Sequence, residues 1–147
     1  MSDAKITLEQ ADSEALSYVE RLLDANGLPS VDVQAKNECF YVASVRGERV
    51  GIGGLERYGA DALLRSLVIE QSARGNGYGA ALCDALEARA AKMGLERLFL
   101  LTTTAESFFA SRGYDERERR AAPESIRTTT EFAELCPASA TCLAKSL

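Results

Sequence analysis

The chain has 147 residues, 46% of them apolar and 27% charged, with a net charge of −5 and no histidine. That length suits one domain over 1–147 with a sizeable core. The acidic balance disfavours nucleic acid as a partner, and the missing imidazole removes Ser-His-Asp, Cys-His and histidine-metal chemistry.

In chain order, KITLEQA alternates as an opening strand would. DSEALSYVERLLDANG places Leu16, Val19, Leu22 and Leu23 on one helical stripe and stops at Gly27. ECFYVASVR and RVGIGGLERY read as two strands around a Gly47-Glu48 hairpin signal, and DALLRSLVIE as a third. GYGAALCDALEARAAKMG is a helix with Leu82, Leu86, Ala90 and Met93 on one face. ERLFLLT is a continuous apolar strand of the kind buried beside a parallel neighbour. TTAESFFASRG reads as a short helix, with capping-box spacing between Thr103 and Glu106. PESIRTTTEFAELCP supplies one or two helical turns with a second such pair, Thr128 and Glu131, and SATCLAK a last strand. The order is β-α-β-β-β-α-β-α-β, a mixed sheet with helices against it.

No apolar run approaches the roughly 20 residues that a bilayer requires, so no membrane partner is expected. MSDAKITLEQ carries no basic-then-apolar leader, which points to the cytoplasm. Cys39, Cys83, Cys136 and Cys142 form no C-x-x-C pair and read as reduced, mostly buried apolar fillers. A soft-metal site at Cys136 and Cys142 is the lesser alternative, and no metal site is expected.

The chemistry concentrates in Arg74-Gly75-Asn76-Gly77-Tyr78-Gly79, between an apolar strand and a helix. A helix start offers unpaired N–H groups and partial positive charge, and bare backbone lets a phosphate approach them. A tight strand-to-helix turn would use the same glycines. A dinucleotide site needs an acid roughly 20 residues on, and the next strand ends LLTTT without one. A P-loop needs G-K-[ST], which is absent.

This stretch resembles the R/Q-x-x-G-x-G/A loop of the GNAT N-acetyltransferases, and AESFFASRGY resembles their A-x-x-F-Y-x-x-x-G-[FY] helix. More narrowly, LERYGADALLRSL, LLTTTAESFFASRGY and IRTTTEFAELCPAS are similar to the arsenic-resistance-associated ArsN-type group. The resemblance implies an α/β (α+β) fold. Its mixed, mostly antiparallel sheet would have six to seven strands, helices on both faces and two strands splayed at the cofactor. It also implies acetyl-CoA as cofactor, a small-molecule amine as partner, and allows a homodimer.

By that resemblance, backbone from Arg74 through Gly75, Asn76, Gly77 and Tyr78 to Gly79 holds the pyrophosphate. Leu67, Val68 and Ile69 meet the pantothenate arm with their main chain, and an N–H near Val68 or Ile69 receives the thioester oxygen. Thr102 stands where many relatives carry a cofactor-touching asparagine, with Thr103 and Thr104 beside it. Phe109 stands where the family's acidic tyrosine is usual; Tyr41, Tyr58 and Tyr114 are the remaining phenols to weigh. Glu56 is the candidate base, or a paired strand-end carboxylate, and Glu70 a helper at the loop. Arg65, if it shares a face with Leu67 and Ile69, meets a substrate anion or pairs with Glu56. Arg127 is a second anion candidate from the tail. Two rivals stay open: a CoA-holding sensor without chemistry, and a nucleotide-linked redox protein.

Overall fold

The computed structural model describes residues 6–28, 30–129, 132–133 and 139–147. Asp12 opens the first helix, α1 (Ser13–Ala25), by accepting the Ala15 N–H at 2.8 Å. Before it runs β1 (Thr7–Gln10). After it a 3₁₀ turn (Gln34–Cys39) leads into β2 (Phe40–Val45), β3 (Glu48–Tyr58) and β4 (Asp61–Ile69). The β2–β3 turn falls one residue earlier than the sequence suggested. Arg46 and Gly47 both take positive φ, 53° and 83°, the pair of left-handed residues that a tight hairpin turn needs.

The chain continues through α2 (Tyr78–Lys92), β5 (Arg97–Thr102), α3 (Glu106–Ser111), β6 (Asp115–Arg117), the single turn α4 (Glu124–Arg127) and β7 (Thr141–Ser146). The sheet has seven strands in the order β1-β2-β3-β4-β5-β7-β6. Its pairings are antiparallel except β4 with β5. The mixed, mostly antiparallel sheet is therefore as expected. β6 is the strand the periodicity did not show: it has three residues, all exposed.

Alternation fills both faces of the sheet. Tyr41, Ala43, Leu55, Leu64, Leu98 and Leu100 pack with α2 and with Phe109 of α3. On the other side, Phe40, Val42, Ile52 and Val68 bury the α1 stripe of Leu16, Val19, Leu22 and Leu23. Leu63, Phe99, Cys142 and Ala144 cover Ile126 of α4.

Candidate active site

β4 changes partner halfway. Asp61, Ala62 and Leu63 pair with Arg97, Leu98 and Phe99 of β5, and there the ladder stops. β5 runs on against β7 up to Thr102. The two strands part, and a cavity of about 800 Å³ opens between Leu64–Leu67 and Ile69 on one side and Leu100–Ala105 on the other. The expected splay is present.

A bulge accompanies the opening. Gly51 and Ile52 face Ile69 and Val68, whereas Gly54 faces Arg65, so Ser66 and Leu67 together oppose Gly53. Ser66 takes φ 58°, a conformation that a non-glycine residue seldom adopts. The extra residue shifts the side-chain alternation by one. Leu67 and Ile69 join Leu64 against the α2 cluster, while Val68 joins the α1 cluster. Arg65 lies over the Phe40 ring, within that second layer. This corrects the premise that Arg65 shares a face with Leu67 and Ile69.

The main chain is arranged to match. Glu70 N–H donates to the Val50 carbonyl at 2.7 Å, which makes residues 50 and 70 a hydrogen-bonded pair. By alternation the main-chain groups of Val68 turn toward β3, and those of Leu67 and Ile69 turn away from it, toward the cleft. Consistently, a Cβ on Gly51 would come within 2.4 Å of the Val68 carbonyl oxygen.

At one end of the cleft α2 begins without a cap. Gly77 precedes it at φ 76°, no side chain bonds the first turn, and no acid stands there. The first helical N–H groups are left to an outside partner. Gly75 also takes positive φ, 86°, and a Cβ at Gly75 or Gly77 would meet nothing within 4 Å. These two glycines therefore supply conformation, and the space beside them is open. Asn76 tightens the turn by donating to the Ala73 carbonyl at 2.9 Å. Arg74 donates from Nε to the Ile69 carbonyl at 3.0 Å and from Nη2 to Asn26 at 2.7 Å. Tyr78 is half-buried as the first residue of α2, and Gly79 lines the cavity beside Phe108.

Thr102, Thr103 and Thr104 all line the cavity. Thr103 does not cap α3, whose start has no side-chain cap. Thr102 holds the turn instead, its hydroxyl oxygen accepting from Ala105 N–H at 3.0 Å and Thr104 N–H at 3.4 Å. Thr128 instead donates backward, to the Glu124 carbonyl, and its suggested partner Glu131 lies outside the described residues.

Glu56 is 1% exposed and lies in a network rather than on the cavity wall. It accepts from Arg65 Nη1 at 2.7 Å, Lys36 Nζ at 3.0 Å and Tyr58 Oη at 2.8 Å. Asp32 closes the network by taking Arg65 Nη1 at 2.5 Å and Nη2 at 2.9 Å. Arg65 borders the cavity, but its charge is matched by two carboxylates. Arg127, on α4, donates to the Ala122 carbonyl at 2.9 Å and does not line the cavity. Glu70 accepts from Tyr18 Oη at 2.6 Å, tying the loop to α1. Asp32, Lys36 and Phe108 escaped the sequence reading; the Asp32–Lys36 spacing of four was the one local sign of an ion pair there.

Phe109 is on the cavity wall. Tyr58 gives its hydroxyl to Glu56 and Tyr114 gives its own to Glu87. Tyr41 is buried under the Arg89 guanidinium. Cys39, Cys83 and Cys142 are free thiols, and Cys136 lies outside the described residues. Burial, followed by nearby glutamates, pushes the Cys39 thiol up to about 11 and Cys83 up to about 12.

The GNAT acetyltransferase domain family matches residues 36–116, from the 3₁₀ turn through β6, and the chain belongs to that family. An uncharacterized N-acetyltransferase of Chlorobaculum tepidum is 32% identical over 88 residues, covering 59% of this chain and 56% of that protein. N-acetylglutamate synthase of Neisseria gonorrhoeae, solved with coenzyme A and N-acetyl-glutamate, superposes at a TM-score of 0.82. It is 21% identical, over 99% of this chain and 36% of its own. A Mycobacterium tuberculosis protein solved with CoA gives 0.78 at 22% identity, over 96% of this chain and 99% of its own. The chain thus spans about half of the curated relative and about a third of the synthase.

Proposed function

We propose that the chain transfers an acetyl group from acetyl-CoA to the amine of a small molecule by direct attack. One observation carries the reading: the cleft between β4 and β5 runs to the uncapped start of α2. An elongated ligand with a diphosphate at one end and a thin arm at the other fits that shape. Neighbours solved with coenzyme A support it.

In this reading backbone from Arg74 to Gly79 takes the pyrophosphate, and the main chain of Leu67 and Ile69 takes the arm. The Ile69 N–H, turned toward the cleft, is a better oxyanion donor than that of Val68, which belongs to the β3 ladder. The amine nitrogen bonds to the thioester carbon, the oxyanion collapses, and the carbon–sulfur bond breaks to release CoA thiolate. The remaining extra proton on nitrogen passes to solvent water to leave the neutral amide. The ammonium proton leaves first, to water. Glu56 is off the cavity wall and already accepts from Arg65, Lys36 and Tyr58, so its role as base is at most the relayed one.

An anionic, amino-acid-like acceptor loses the support of a spare Arg65 charge. Arg127, off the cavity wall and donating to the Ala122 carbonyl, adds little, and what remains is the N-acetyl-glutamate bound by the synthase neighbour. The arsenic link rests on the likeness of three sequence stretches; growth on arsenite and arsenate with and without the gene tests it.

The main test is free-thiol release from acetyl-CoA across an amine panel, beside calorimetry with coenzyme A. No affinity for coenzyme A sinks the reading. Phe109 favours one second reading, a CoA-binding module without turnover. Tight binding with no thiol released on any amine would select it.

A further inference from the structure

Asp32 lies outside the cleft, yet it is 6% exposed and grips a residue 33 positions away. Its two oxygens take both terminal nitrogens of Arg65, at 2.5 and 2.9 Å. Arg65 also reaches Glu56 from Nη1 at 2.7 Å and the Ser66 hydroxyl from Nε at 3.1 Å. Phe40 lies under the guanidinium, 5.3 Å from ring centre to Cζ. Gly54 makes room for the stem, since a Cβ there would stand 3.1 Å from Arg65 Cγ. A planar fork held on so many sides has one orientation.

The next residue is Ser66, at φ 58° in the bulge. Serine holds such a backbone only where its surroundings over-determine it. Here the residue before it is locked by a buried pair, and its own hydroxyl is bonded by the same guanidinium. Releasing Ser66 to an extended conformation would restore simple alternation and turn Leu67 and Ile69 over.

We propose that Asp32 is a positioning residue for the cleft. Through Arg65 it keeps Ser66 left-handed, and so keeps the Leu67 and Ile69 main chain aimed at the space that takes the cofactor's arm. This rests on the cleft being a coenzyme A site. The diphosphate end, held by the start of α2, does not depend on it.

The experiment compares two ligands by calorimetry: coenzyme A, and adenosine 3′-phosphate 5′-diphosphate, which carries the diphosphate without the arm. Wild type should prefer coenzyme A by about tenfold or more. In folded Asp32→Asn that preference should shrink to about twofold, while affinity for the armless nucleotide holds. A purely structural role would lower the melting temperature and leave the preference intact in the folded protein. If Asp32→Asn does not fold, Ser66→Val tests the same link with the ion pair untouched, because a β-branched residue resists positive φ. Ser66→Gly should lose less than Ser66→Val. An unchanged preference in folded Asp32→Asn or in Ser66→Val overturns the inference alone. Wild type that binds neither ligand overturns the coenzyme A reading beneath it.

Discussion

The ring of Phe109 meets the ring of Tyr114 edge to face, with centroids 5.4 Å apart. Phe109 lines the cleft, and Tyr114 commits its hydroxyl to Glu87 at 2.9 Å. Burial, followed by Cys83 and Glu87, pushes the Tyr114 phenol far above its usual range. Burial and the bond to Glu56 do the same for Tyr58. Neither gives up its proton easily, so in the proposed transfer the thiolate would leave on its own modest basicity, a thiol pKa of about 8.5. Phe109→Tyr brings a phenol to the wall. It should raise kcat in thiol-release assays, toward the ~10²-fold typical of general acids. An unchanged kcat would mean that thiolate departure does not limit the rate.

Gly77→Ala should weaken coenzyme A binding. At φ 76° the substitution meets no neighbour, so its cost is backbone strain alone. That cost is about 1–2 kcal/mol, and relaxation of the loop to avoid it should raise Kd about tenfold. Calorimetry reads this directly, and Tm should fall in parallel.

Removing the Arg65 charge should be severe. Arg65→Met leaves Asp32 and Glu56, 6% and 1% exposed, with the partly exposed Lys36 as their remaining shared cation. Breaking a buried pair this way costs about 3–5 kcal/mol. Urea unfolding should show a lower midpoint, and adding Asp32→Asn to the same chain should recover part of the loss.

Acid should act on the same network. Burial raises the Asp32 carboxyl, but Arg65, by hydrogen bond and charge, and then Lys36 outweigh it and hold the group below its ordinary value. A carboxyl with a lowered folded-state pKa stabilises the fold above its unfolded value of about 3.9, and the contribution disappears as pH falls through the lower folded value. Wild type should therefore lose stability below about pH 5 more steeply than Asp32→Asn. Urea midpoints across that range test the sign.

Much of this arrangement was legible in the sequence. Leu16, Val19, Leu22 and Leu23 are the buried stripe of α1, and the Gly75–Gly79 run does open a helix. What stayed hidden depends on contacts between distant parts of the chain. Asp32 has no local reason to be buried; Arg65, 33 residues on, supplies it. The bulge at Ser66 is invisible to a count by twos, which groups Arg65 with Leu67 and Ile69; the pairing with Glu56, the other possibility for Arg65, is the one present. β6 shows no apolar alternation because it is held by the β7 ladder alone among the described residues.

The position of β7 has a bearing on how the molecule is made. It lies between β5 and β6, although it follows both in the chain. Without it, the upper half of β5 and all of β6 have no hydrogen-bonding neighbour there among the described residues. Closure of this end of the sheet therefore waits on residues 141–146, and a chain cut before them would leave Phe99 and Leu101 without the Cys142 and Ala144 side chains that cover them.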